Sequence, residues 1–142
     1  MATITTYYHG DMKFETTMGN HKLIIDVPEG MGGKDRGPQP PQLFIASIGS
    51  CVAALIAEYC NSHDTDASDM RVDISFDKEP NPTRLTNIKV KVTMPHVDCD
   101  DKRREAALKR VAHHCPVHKT IETMDNVEFE IVGQEMSDML PA

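Results

Sequence analysis

Residues 40–57 read PPQLFIASIGSCVAALIA, and the part from Leu43 to Ala57 is apolar nearly all round. Tandem prolines suit the first turn of a helix, where the missing N–H has no intrahelical partner to lose, and Asn61-Ser62-His63-Asp64 supplies the stop. A helix with so little polar surface belongs at the centre of a fold. A membrane span takes about 20 apolar residues. This run is shorter, is interrupted by Ser47, Gly49 and Ser50, and is bounded by Gln42 and Glu58, so burial within protein is the better reading.

The flanks fit a small α+β protein. Residues 3–8 (TITTYY) and 12–17 (MKFETT) form a hairpin around His9-Gly10-Asp11, and His21 to Val27 (HKLIIDV) makes a third strand. Pro28 to Pro41 (PEGMGGKDRGPQPP) is a loop by its Gly, Pro and charge, and it brings Arg36 up to the helix. Beyond the helix, Met70 to Phe76 and Asn87 to Val92 alternate apolar and polar residues and form a second hairpin with one buried face. Asp101 onward (DKRREAALKRVAHHC) is an amphipathic helix, acidic at its start and basic at its end as the helix dipole favours, presenting Ala106, Ala107, Leu108 and Val111 inward. A short helix over Val117 to Met124 and a last strand over Val127 to Val132 complete the order βββ-α-ββ-α-α-β. A single domain is expected over residues 1–142.

Bulk composition narrows the function. With 15 Lys+Arg against 22 Asp+Glu, a net charge of -7 and a pI near 5.4, the chain repels phosphate backbones and anionic membranes, so neither nucleic acid nor membrane is an expected partner. The N-terminal residues carry no export signal, and a cytoplasmic address is expected. In a reducing compartment Cys51, Cys60, Cys99 and Cys115 are catalytic, metal-binding or inert rather than structural cross-links.

Two of the four stand in distinctive settings. Cys51 follows Gly49-Ser50, small residues that leave room for a substrate to approach the sulfur, although a cysteine in an apolar helix also packs well as a plain hydrophobe. Cys115 lies in His113-His114-Cys115-Pro116-Val117-His118, where the proline breaks regular helix pairing. The Cys-x-x-His spacing is compatible with half of a zinc site, but no second ligand pair occurs elsewhere, so no metal is expected. Cys60 and Cys99 read as bystanders.

The stretch Gly37-Pro38-Gln39-Pro40-Pro41-Gln42-Leu43-Phe44, continuing through Ala46-Ser47-Ile48-Gly49-Ser50-Cys51, resembles the first signature of the OsmC/Ohr superfamily. His114-Cys115-Pro116-Val117 is similar to its second. The resemblance implies an α+β fold with antiparallel sheets packed around a long buried central helix, in an intertwined homodimer with sites at the subunit interface. It further implies a peroxidase needing no cofactor, in which Cys51 attacks an organic hydroperoxide, Cys115 resolves the sulfenic acid as a Cys51–Cys115 disulfide, and an external dithiol reduces the pair. Arg36 is the candidate activator of Cys51. Members of this kind pair an arginine with a glutamate at the start of the central helix, where this chain has Pro41 and Gln42, so Gln42 would hold Arg36 only as an amide. That departure keeps open a second reading, an apolar or thioester ligand bound in the same fold with little peroxidase activity. A structural or metal-buffering role for the HHCPVH segment is a third.

Overall fold

The structure, a computed structural model, describes residues 1–133. It is α+β, as expected, with two small antiparallel sheets and a long helix. Strands β1 (Thr5–Tyr8), β2 (Phe14–Met18) and β3 (His21–Ile25) form the first sheet in that order. The β2–β3 register sets Phe14 opposite Ile25 and Thr16 opposite Leu23. The chain then runs through a loop containing one 3-10 turn, Glu29–Met31, into α1 (Pro40–Ser62). Two strands, β4 (Arg71–Glu79) and β5 (Arg84–Thr93), make the second sheet, followed by α2 (Lys102–His113) and α3 (Pro116–Thr123).

Helix α1 extends beyond the apolar run at both ends. Pro40 and Pro41 occupy its first turn, and the Gln42 side-chain oxygen accepts the Gln39 backbone N–H at 2.8 Å. At the far end the His63 ring stacks on Tyr59 with centroids 3.9 Å apart. Ile45, Ile48, Gly49, Val52, Ile56 and Cys60 are the buried residues, recurring every three or four positions as one helix face demands. Gly49 marks the crossing over β4: a Cβ there would stand 3.1 Å from Ile74 Cδ1. From this face the core spreads to Met94, Leu108 and Cys115.

Four expectations need correction. The central helix is buried on one face only; Phe44, Ala46, Ser50 and Ala54 are exposed, because this face has no neighbour among the described residues. On α2 only Leu108 is buried, Ala107 and Val111 are half-buried, and Ala106 faces out. Residues 127–132 form no strand here, since no strand of the described chain lies beside them to supply hydrogen bonds. Finally, α1 has the length and composition of a membrane-crossing helix after all, yet its Ile45, Ile48, Val52 and Ile56 face is packed in the core.

Candidate active site

Cys51 lies in the middle of α1, and Cys115 occupies the residue immediately before α3. Helix α2 ends at His113, and the turn through His114 and Cys115 starts α3 with Pro116 in its first position. That reversal brings Cys115 back against α1. Both cysteines are free thiols, and Cys51 packs against the buried cluster that holds Cys115. Cys115 is fully buried within the cluster that includes Val52, Ile56 and Leu108, whereas Cys51 packs against the same cluster and stays partly accessible. A solute therefore reaches Cys51 before Cys115.

Burial pushes the Cys51 thiol above its ordinary pKa, and the Cys115 thiol adds to the effect, while the Val117 backbone N–H opposes it. Among the described residues no cation opposes the shift. Arg36 makes its contacts elsewhere: Nε donates to Asp26 Oδ2 at 2.6 Å, and the rest of the guanidinium reaches the Asp11 backbone oxygen at 2.8 Å and its carboxylate at 3.3 Å. Asp26 is fully buried just past β3 and also accepts the backbone N–H groups of Val27 (2.7 Å) and Arg36 (3.0 Å). The Arg36 guanidinium beside Asp26 holds its carboxyl well below the usual carboxylate range. Arg36 and Gln42 are thus not brought to each other or to Cys51 among the described contacts. Gln42 serves the start of α1, and the arginine does have a carboxylate clamp, supplied by Asp26.

Asp26 escaped the sequence reading, although one signal was available. A lone carboxylate inside Leu23-Ile24-Ile25-Asp26-Val27 implies a buried charge, and a buried charge needs a partner. The loop supports this clamp closely, because a side chain at Gly37 would collide with the Ile24 carbonyl and one at Gly33 with the Val27 carbonyl.

Cys60 is fully buried at the end of α1, where burial pushes its thiol up and Arg104 opposes the shift. Cys99 is exposed on the loop before α2 and contributes to an apolar groove of about 590 Å³. Ile48, Val52 and Ile56 of α1, Val90 and Val92 of β5, and Leu108 of α2 form much of that groove, with Lys109, His113 and His118 among its polar walls. Neither Cys51 nor Cys115 lines it. Among the described residues no three His, Cys, Asp or Glu side chains converge as a metal cluster.

Solved structures with this architecture include a proposed osmotic-stress-induced and detoxification-response protein from Psychrobacter arcticus, with 24% identity, a TM-score of 0.73 and coverage of 84% of this chain and 88% of that one. An organic hydroperoxide resistance protein, OsmC, from Legionella pneumophila has 23% identity, a TM-score of 0.60 and coverage of 85% and 88%. An organic hydroperoxide resistance protein from Bacillus subtilis has 18% identity, a TM-score of 0.58 and coverage of 87% and 92%. At identities this low the likeness speaks for the fold. No curated protein matches the chain. The family model for OsmC-like proteins matches residues 32–131, an interval that holds the Asp26 clamp's partner Arg36, the whole of α1 and both Cys51 and Cys115, and the chain belongs to that family.

Proposed function

We propose that the protein is a thiol-dependent peroxidase that reduces organic hydroperoxides to alcohols, with Cys51 as nucleophile and Cys115 as resolving thiol. The observation that carries this reading is the packing of a partly accessible thiol, Cys51, against the buried cluster that holds the second thiol, Cys115. In the first step the Cys51 thiolate attacks the distal peroxide oxygen. The O–O bond breaks, the alkoxide takes a proton and leaves as alcohol, and Cys51 becomes a sulfenic acid. Cys115 then displaces that hydroxyl as water, forming Cys51–Cys115, and an external dithiol returns both thiols by exchange. Over-oxidation is outrun because the resolving thiol is already in place. The cycle suits a reducing, cytoplasmic setting, and redox work on peroxides accords with the family and with the hydroperoxide resistance proteins that share its fold. Arg36 and Gln42 are reassigned from catalysis to holding the loop and the first turn of α1.

The test is turnover of cumene hydroperoxide with dithiothreitol, followed by peptide mapping after one equivalent of peroxide. Wild-type protein should turn over and yield the Cys51–Cys115 disulfide. Cys51→Ser should fall to the uncatalysed rate, and Cys115→Ser should consume one equivalent to leave sulfenic acid at Cys51, which a second equivalent converts to sulfinic acid. Mapping that finds Cys60 or Cys99 as the main partner defeats the assignment.

A second reading rests on the apolar groove, which lies between α1, β5 and α2 without touching either sulfur. There the protein binds an apolar ligand and the thiol pair is inherited. Absence of turnover together with saturable binding of a fatty-acid probe, lost in Val52→Lys, would favour it.

A further inference from the structure

The segment from Met94 to Asp101 joins β5 to α2, and through Met94 and Cys99 it forms part of the wall of the apolar groove. Its two ends are fixed: Met94 is buried in the core cluster, and Asp101 caps α2 by accepting the Arg103 backbone N–H at 3.0 Å. Between them His96 sits in a surface turn, closed by the Val97 N–H donating to the Met94 oxygen at 3.3 Å. A second turn runs from Ala67 to Met70, closed by the Met70 N–H donating to the Ala67 oxygen at 3.1 Å. Both turns stand at the same end of the second sheet, because Arg71, the first residue of β4, pairs with Thr93, the last of β5. Ala67, Met70 and Val97 pack against the same core cluster. Among the described residues one hydrogen bond joins the two turns, between His96 Nε2 and Asp69 Oδ2 at 2.9 Å.

We propose that His96 and Asp69 form a pH-dependent strap that holds the Met94–Cys99 wall of the groove against the core, tight while His96 carries its second proton and looser once that proton is lost. An imidazolium donating to a carboxylate makes a charge-assisted bond, about twice as strong as one between neutral groups, and a neutral ring donates from Nε2 in only one of its two tautomers. The charged groups acting on the ring are Asp69, through this bond, and Asp66, whose Oδ1 accepts the Ser68 N–H at 2.9 Å in the same turn. Together they lift His96 above its ordinary value, against the opposing effect of desolvation. A histidine lifted in this way binds more protons folded than unfolded. Its contribution is fully present below the ordinary imidazole value and is lost as pH rises through the folded one. Both side chains are exposed, so the strap governs local opening of this segment and not unfolding of the whole chain.

The test follows the His96 ring protons by NMR from about pH 5 to about pH 8, with amide hydrogen exchange measured over the same range and corrected for its intrinsic pH dependence. His96 should titrate above an ordinary histidine, and Asp69→Asn should return it toward that value. In wild-type protein the backbone amides of residues 96–99 should exchange about two- to fivefold faster once His96 is neutral, the range expected of an exposed ion pair. His96→Gln should show no such step, Asp69→Asn should lose most of it, and the amides in the middle of α1 should show none in any variant. A His96 titration left unchanged by Asp69→Asn, or a step that survives in His96→Gln, overturns the proposal. So does a step shared by the α1 amides, which would mark opening of the whole core. Neither peroxide turnover nor ligand binding enters the readout.

Discussion

Arg36 and Asp26 show how a charged side chain on the loop before a central helix can serve the fold. The buried carboxylate accepts the guanidinium Nε at 2.6 Å and the backbone N–H of the same residue at 3.0 Å, which ties the end of β3 to the loop leading into α1. The folded carboxyl has its pKa lowered, so the folded state binds fewer protons than the unfolded one across the ordinary carboxylate range. The contribution is fully present at neutral pH and is lost as pH falls through the folded value. Asp26→Asn should therefore be less stable than wild type at neutral pH, and the gap should narrow in acid below the usual carboxylate range, as measured by urea unfolding at several pH values. Gln42→Glu offers a second check on the division of labour. A glutamate can accept the same Gln39 N–H, and its charge favours a helix N-terminus, so stability should rise by about 0.3–1 kcal/mol. The rate with hydroperoxide should stay unchanged, since the Gln42 side chain is engaged with the Gln39 backbone N–H at the start of α1.

At the scale of elements, the crossing of α1 over β4 is set by Gly49, whose missing side chain lets the helix approach Ile74. Gly49→Ala should be close to neutral: alanine is the better helix former by about 1 kcal/mol, and only the mobile tip of Ile74 must give way. Gly49→Leu should lose about 1–3 kcal/mol in urea unfolding, because the displaced atoms then include the body of β4. The helices and both hairpins were legible from the sequence because their signals are local: an apolar run behind tandem prolines in α1, alternation in β4 and β5. The pair Cys51 and Cys115 was legible as two motifs, but their meeting in one cluster depends on the turn between α2 and α3. The Arg36 partner was misread for a related reason. Gln42 is six residues away and Asp26 ten, and only the path of the loop decides which one the guanidinium meets.

For the whole molecule, the described chain has apolar surface that water does not suit. Phe129 is 89% exposed and Ile131 97%, in a stretch where Val127, Phe129 and Ile131 alternate with Glu128 and Glu130. That alternation is the pattern of a strand with one face to bury, yet no sheet among the described residues receives it. The exposed side of α1, with Phe44 at 40%, is a second such face. Burying one exposed aromatic or aliphatic side chain contributes about 1.5–3 kcal/mol, so a partner covering both faces gains far more than one contact. We therefore expect a homodimer in which each chain covers the apolar strand pattern and α1 face of the other. Sedimentation at micromolar concentrations should give twice the monomer mass. Phe129→Lys combined with Ile131→Lys should shift the protein toward monomer and lower its thermal midpoint, whereas lysine at the already polar Glu128 should do neither. A wild-type protein that sediments as a monomer at tens of micromolar would overturn the expectation, and the apolar segment would then need a different covering.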